Sequence, residues 1–176
     1  MNLYRIIFFK IFVSLLLGFA LFHLFNGLVF EDWDLSQSQM ITYIAVGLSV
    51  PLGYWESCRK RIKYLESDDF GVPGFKDTLS NTVQINAPEF SWKEFERRLG
   101  AEFVITAHQE GANAFKLRRR VSWFKSGAGA FLIYNEKSGT MKCWYFAFPG
   151  YMRRGKRGIQ QMNKDIVEIA WRTSKS

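Results

Sequence analysis

The sequence predicts an α+β chain: two N-terminal transmembrane helices, then a small domain with a mainly antiparallel sheet and two helices. Three observations predict it. Two long apolar runs stand near the N-terminus, five strand-like runs separated by Gly-containing turns follow, and two amphipathic helical stretches flank those strands. With 176 residues, about 115 remain for soluble structure once two spans are set aside, enough for one core.

The first run, 11-IFVSLLLGFALFHLFNGLVF-30, has twenty residues without a formal charge, and about 1.5 Å per residue carries it across ~30 Å of hydrocarbon. Its exit, 26-NGLVFEDW-33, lacks the small-x-small cleavage site of a signal peptide. The second run, 40-MITYIAVGLSVPLGYW-55, is shorter and contains Pro51, which membrane helices tolerate.

Orientation follows from the flanks. Arg5 and Lys10 precede the first span, Glu31, Asp32 and Asp34 occupy the connection, and Arg59, Lys60, Arg61 and Lys63 follow the second. Positive flanks stay on the cytoplasmic side, so both termini are expected there, in a bacterial inner membrane, with Trp33, Tyr54 and Trp55 as interfacial anchors. The same four basic residues are expected to meet anionic lipid headgroups. Ser14 and Gly18, then Ala45, Ser49 and Gly53, follow a small-xxx-small spacing that permits close helix contact. His23 and Asn26 are three apart and share a face, which makes them a polar pair within the membrane that should turn toward protein or water.

Past the membrane region, 56-ESCRKRIKYLESDD-69 continues helically and 70-FGVPGF-75 breaks it, so the expected organisation is 1–69 membrane region, 70–75 linker and 76–176 cytosolic domain. Strands are expected at 82–87, 102–108, 113–124, 130–136 and 140–148. Ser91 and Glu94 form a capping box that opens a helix over 90–100, and a closing helix runs from Gly158 to Arg172. Gly111, 126-SGAG-129 and 137-KSG-139 read as the turns. The first strand and helix are faintly similar to helix-grip ligand domains, for which five strands are too few.

The residues exclude more chemistry than they suggest. Cys58 and Cys143 fall in the reducing compartment, His108 is the only histidine of the domain, and no CxxC, HExxH, nucleophile elbow or Walker loop is present. No enzymatic activity, metal or cofactor is expected. The charge is informative instead. Formal net charge is +8, and between Asn113 and Arg157 eleven cations face one carboxylate, Glu136. Strand alternation puts Phe115, Leu117, Val121 and Trp123 on one face and Lys116, Arg118 and Arg120 on the other. Uncompensated like charge along one strand costs stability unless an anion answers it. A second basic run, 153-RRGKRG-158, leads into the final helix, whose N-terminus favours anions. Lys116, Arg118, Arg120, Trp123, Arg153, Arg154 and Arg157 are therefore the candidate ligand-binding residues, Trp123 as a base-stacking ring.

A domain tethered about ten residues from a bilayer is poorly placed to scan genomic nucleic acid, so a diffusible anion is preferred. The layout resembles the two-span membrane effectors of bacterial antiphage defence that sense cyclic nucleotides or oligonucleotides, as in type III CRISPR and related systems. That resemblance covers the whole chain as an arrangement of two spans and a compact basic domain. It implies a homo-oligomer in which binding changes the membrane helices, with no cofactor. The alternative is a non-enzymatic immunity or adaptor protein whose basic face docks an acidic protein or anionic lipid.

Overall fold

The computed structural model describes residues 3–30, 37–85, 90–120, 127–148 and 153–174. Four α-helices and five strands follow in the order α1 (Leu3–Phe30), α2 (Gln37–Glu66), β1 (Leu79–Gln84), α3 (Trp92–Glu102), β2 (Phe103–Gln109), β3 (Ala114–Arg119), β4 (Gly127–Asn135), β5 (Thr140–Phe148) and α4 (Arg153–Thr173). The chain divides into two compact units, Met1–Arg59 and Lys60–Ser176, a division that falls inside α2.

In the first unit, α1 is apolar on all sides and leaves Leu16, Leu21 and Leu28 more than half exposed. A helix without a polar face needs an apolar surrounding. Ile7–Val29 is long and apolar enough to cross a membrane, and among the described residues it is the one helix that meets this test. Phe8 stacks on Phe12 and meets the edge of Trp55 at a centroid distance of 5.9 Å.

The second unit is an α+β domain built on a five-stranded, fully antiparallel sheet of order β1-β5-β4-β3-β2. β2 to β5 form a meander, and α3 carries the chain from β1 on one edge to β2 on the other. Ser91 caps α3, its Oγ accepting from the Glu94 N–H at 3.3 Å. The helix passes the expected stop at Gly100 and runs to Glu102, its last turn closed by the Phe103 N–H donating to the Leu99 carbonyl. Asn113, at φ 45°, turns the chain into β3, a left-handed position that Asn tolerates.

One sheet face carries the main core. Phe115, Leu117, Ala130, Leu132, Met141, Cys143 and Tyr145 point toward Phe95 and Leu99 of α3 and Ile159, Met162 and Ile166 of α4. Trp92 lies flat on Phe115 at 4.4 Å. The opposite face is also covered. The last turns of α2 bury Ile62 and Leu65, and residues 67–75, of which 70–75 were expected to be a linker, pack against the strands through Phe70 on Phe131 and Phe75 on Phe146. Gly129 shows how closely α2 approaches: a Cβ there would stand 2.9 Å from Leu65 Cδ1 and 2.9 Å from Phe146 Cε2. Gly127 and Gly129, expected in a turn, are therefore strand residues, and Gly129 lacks a side chain because α2 occupies its place.

Candidate functional site

Basic residues stand where β3 ends and where α4 begins. Register places Arg118 beside Gly129, Gly129 beside Phe146 and Gly127 beside Phe148. The C-terminal ends of β3 and β5 thus lie two strand spacings apart, ~10 Å. Helix α4 begins at Arg153, five residues after Phe148, and not at Gly158 as expected. Its first turns therefore hold Arg153, Arg154, Lys156 and Arg157, and the first turn holds no acidic residue.

The candidates do not share one role. Lys116 was expected on an open basic surface, and the structure corrects this, because its side chain is completely buried. Its Nζ donates to the Tyr64 carbonyl at 2.6 Å, the Ser67 carbonyl at 2.9 Å and Ser67 Oγ at 3.0 Å. It also lies 4.1 Å from the centre of the Tyr64 ring. These carbonyls belong to the end of α2, where free C=O groups and the helix dipole attract a cation. Burial lowers the Lys116 pKa, opposed by Asp69 and then Asp68. The lysine is a clamp between β3 and α2.

Arg119 lies on the opposite, helix-covered face of β3 and pairs with Asp165 of α4. Arg118 is half-buried. Burial lowers its pKa against the opposing charge of Glu66, and its Nε is enclosed with no hydrogen-bond partner among the described residues. The charge on β3 is therefore largely answered by carboxylates distant in sequence, Glu66, Asp68, Asp69 and Asp165. Arg120 and Arg157 remain exposed, with Lys156 beside Arg157. Arg153 and Arg154 stand in the opening turn of α4. Trp123 lies outside the described residues.

The basic run 59–63 divides in the same way. Arg61 was expected at a lipid surface, but it is 3% exposed, pairs with Asp77 at 2.5 Å and has its guanidinium 5.2 Å from the centre of the Phe75 ring. Arg61 is three residues before Tyr64 and four before Leu65, on the face of α2 that meets the sheet. Arg59, Lys60 and Lys63 are exposed. In α1, His23 and Asn26 are both partly exposed.

The aromatic rings of β4 and β5 are packing residues. Trp144 stacks on Phe131 at 5.4 Å, while Tyr134 and Tyr145 belong to the core. Sequence reasoning missed Tyr64, Ser67 and Asp77, which build the α2 clamp. The signal available for them was the apolar spacing Cys58-Ile62-Leu65, a helical face with no membrane to meet.

Among the described residues, no group of His, Cys, Asp and Glu could hold a metal ion. The arrangement that remains is an open, cationic end of a sheet, able to bind phosphate or carboxylate groups by charge-assisted hydrogen bonds. No family model, no curated protein and no solved structure matches the chain.

Proposed function

We propose that the chain is a membrane-anchored, non-enzymatic effector whose cytosolic α+β domain binds an anionic nucleotide second messenger, cyclic or oligomeric, at this end of the sheet. In this reading 11–30 and 40–55 both span a bacterial inner membrane, with both termini cytoplasmic. The subunits form a homo-oligomer, and binding alters the membrane helices in an antiviral response. The all-round apolar surface of α1 supports the first span.

The observation that carries the ligand reading is the opening of α4. Four cations occupy its first turns, where the helix dipole is itself positive, and Arg120 is exposed at the neighbouring strand end. Positive charge at a helix N-terminus is unfavourable by ~0.3–1 kcal/mol per residue, and a bound polyanion reverses the sign of that term. Coupling has a route as well, since Arg118 and Lys116 lie two residues apart on β3 and Lys116 holds the end of α2.

A second reading, an adaptor docking an acidic protein or anionic lipid, is favoured by a specific observation. Both sheet faces are covered around the basic residues, by α3 and α4 on one side and by the α2 end with 67–75 on the other. What is left is an open surface.

Titration calorimetry on the detergent-solubilised full chain, against cyclic dinucleotides and cyclic oligoadenylates, separates the two. Arg120→Glu with Arg157→Glu removes two exposed charges at ~1.5–3 kcal/mol per charge-assisted contact, so affinity should fall by roughly 100-fold or more. Nucleotide binding unchanged in this double variant would reject the site. Absence of binding by any of these nucleotides, with retention of an acidic peptide or anionic vesicles, would move the protein to the adaptor class. A phosphatase reporter fused after Ser176 should be inactive, and activity in the periplasm would overturn the topology.

A further inference from the structure

Strand β1 is an edge strand of unusual openness. Its sequence, 79-LSNTVQ-84, carries no charge and no proline, Leu79 is 46% exposed, and Ser80 and Thr82 are exposed. Proteins usually protect such an edge with charges, prolines, bulges or a covering element, because unpaired N–H and C=O groups recruit another strand. The opposite edge, β2, does carry such a device, a register shift between Ile105 and Ala107.

We infer that β1 pairs antiparallel with β1 of a second copy of this chain, about a two-fold axis through Asn81, to join two five-stranded sheets into one of ten strands. The hydrogen-bonding direction along β1 fixes which groups are available. The Ile85 N–H donates to Gly139 at 2.7 Å, continuing the register in which Gln84 faces Thr140, so residues 79, 81 and 83 turn their backbone toward β5. Ser80 and Thr82 therefore turn theirs outward. With the axis at Asn81, Ser80 of each copy faces Thr82 of the other, and these two pairs exchange four backbone hydrogen bonds.

The side chains fit the same register. Val83 packs against the core on the helix-covered face, and Asn81 on that face donates to Asn163 of α4 at 3.0 Å. Leu79 shares the face by alternation and has no cover comparable to that of Val83. Pairing about Asn81 sets Leu79 opposite Val83 of the second copy and extends the core across the boundary. Centring on Ser80 would instead place Leu79 against Asn81. Ser80 and Thr82 meet on the other face as a polar pair, and no like charges face each other along the strand, which matters in a chain of net charge +8.

The occupant is a second copy, and not an unrelated strand, because the pairing is self-complementary: a two-fold perpendicular to the sheet relates the antiparallel edge strands and sets each side-chain pair on one face. The paired edge is short for an interface between free proteins, and confinement to a membrane supplies the effective concentration. This inference rests on the anchored, oligomeric part of the reading above and not on its ligand.

The test uses the full chain in detergent and in vesicles. Chains carrying Leu79→Cys and chains carrying Val83→Cys, co-expressed and mildly oxidised, should form a disulfide-linked heterodimer, since ~4.5 Å between Cα atoms of such a pair suits a disulfide. Neither variant alone should cross-link in this register. Thr82→Pro removes one outward N–H and leaves the β1–β5 bonds intact, so it should halve the mass measured by light scattering while thermal unfolding shows a folded domain. A monomeric wild-type chain, an unchanged mass with Thr82→Pro, or single variants that cross-link as readily as the mixture would each overturn the inference. Nucleotide binding retained by Thr82→Pro keeps such a failure distinct from failure of the ligand site.

Discussion

Replacing Lys116 by Met tests whether this residue is a structural clamp or a ligand contact. The substitution keeps an unbranched stem of similar volume and deletes only the ammonium, which donates to two carbonyls and one hydroxyl at 2.6–3.0 Å. Charge-assisted bonds of this kind contribute ~1.5–3 kcal/mol each, and the gross loss is offset by several kcal/mol of ammonium desolvation that no longer has to be met. The Tyr64 carbonyl keeps two further donors, the Ser67 N–H at 3.3 Å and the Ser67 hydroxyl at 2.9 Å, so the Ser67 carbonyl is the principal group left unpaired. The net expectation is a loss of about 2–4 kcal/mol, or roughly 8–16 °C in Tm for a domain of this size. Thermal unfolding of the solubilised chain, followed by near-ultraviolet circular dichroism, measures it. Limited proteolysis should then cut within 67–75, which the clamp holds against the sheet. The exposed Arg120→Met should shift Tm by less than ~2 °C. Equal, small shifts in both variants would refute the clamp and return Lys116 to the binding surface.

Gly129→Ala should cost about 1–3 kcal/mol in denaturant unfolding, because the new Cβ would stand 2.9 Å from both Leu65 Cδ1 and Phe146 Cε2; a neutral result would mean that α2 does not rest on β4. The Glu94 carboxyl is held down at about 2 by hydrogen bonds from Arg97 and Arg98. Its folded pKa lies below the unfolded one, so its contribution is present above the ordinary carboxylate range and is lost as pH falls toward 2. Glu94→Gln should flatten Tm between pH 5 and 2, and an unchanged slope would remove Glu94 from the acid response. Burial pushes the Cys143 thiol up to about 12, and Cys58 is likewise buried, so maleimide at pH 8 should label neither until denaturant is added. Labelling of the native chain would contradict the packing of β5 or α2.

The meander was legible because its signals are local. The run 140–148 is a continuous apolar strand closed by the 137-KSG-139 turn, and Ser91 with Glu94 marks the start of α3 within two residues. The end of α4 was read closely and its start was not, since Gly155 and Gly158 signal a loop while the helix runs through both. The larger difference concerns α2. A basic run after a membrane segment has a sufficient explanation in topology, and that explanation hid the Ile62 and Leu65 face that covers the sheet. Gly129 was misread for a related reason: a glycine between strands suggests a turn, and only tertiary contact shows that it makes room for Leu65. The candidate site was read as one face because alternation along β3 is a local rule. Which of those cations meet carboxylates depends on Glu66, Asp68, Asp69 and Asp165, tens of residues away.

That partition bears on how a signal would pass through the domain. β3 presents its core face through Phe115 and Leu117, holds the end of α2 through Lys116, and carries Arg118 and Arg120 onward to the open end of the sheet. From Lys116 to Arg119 the strand spans ~10 Å of hydrogen-bonded backbone, too stiff to bend locally. An anion drawn to Arg118 competes with Glu66, the last residue of α2, and so acts on the helix end directly rather than through a chain of side chains. Such competition has an effect only if the anion favours one position of the α2 end over another, since equal affinity for both shifts nothing. The three acceptors on Lys116 supply one well-defined position. In the proposed reading, Arg118 would therefore be the residue at which ligand binding and helix clamping oppose each other, and Arg120 and Arg157 the residues at which binding could be removed without touching the clamp.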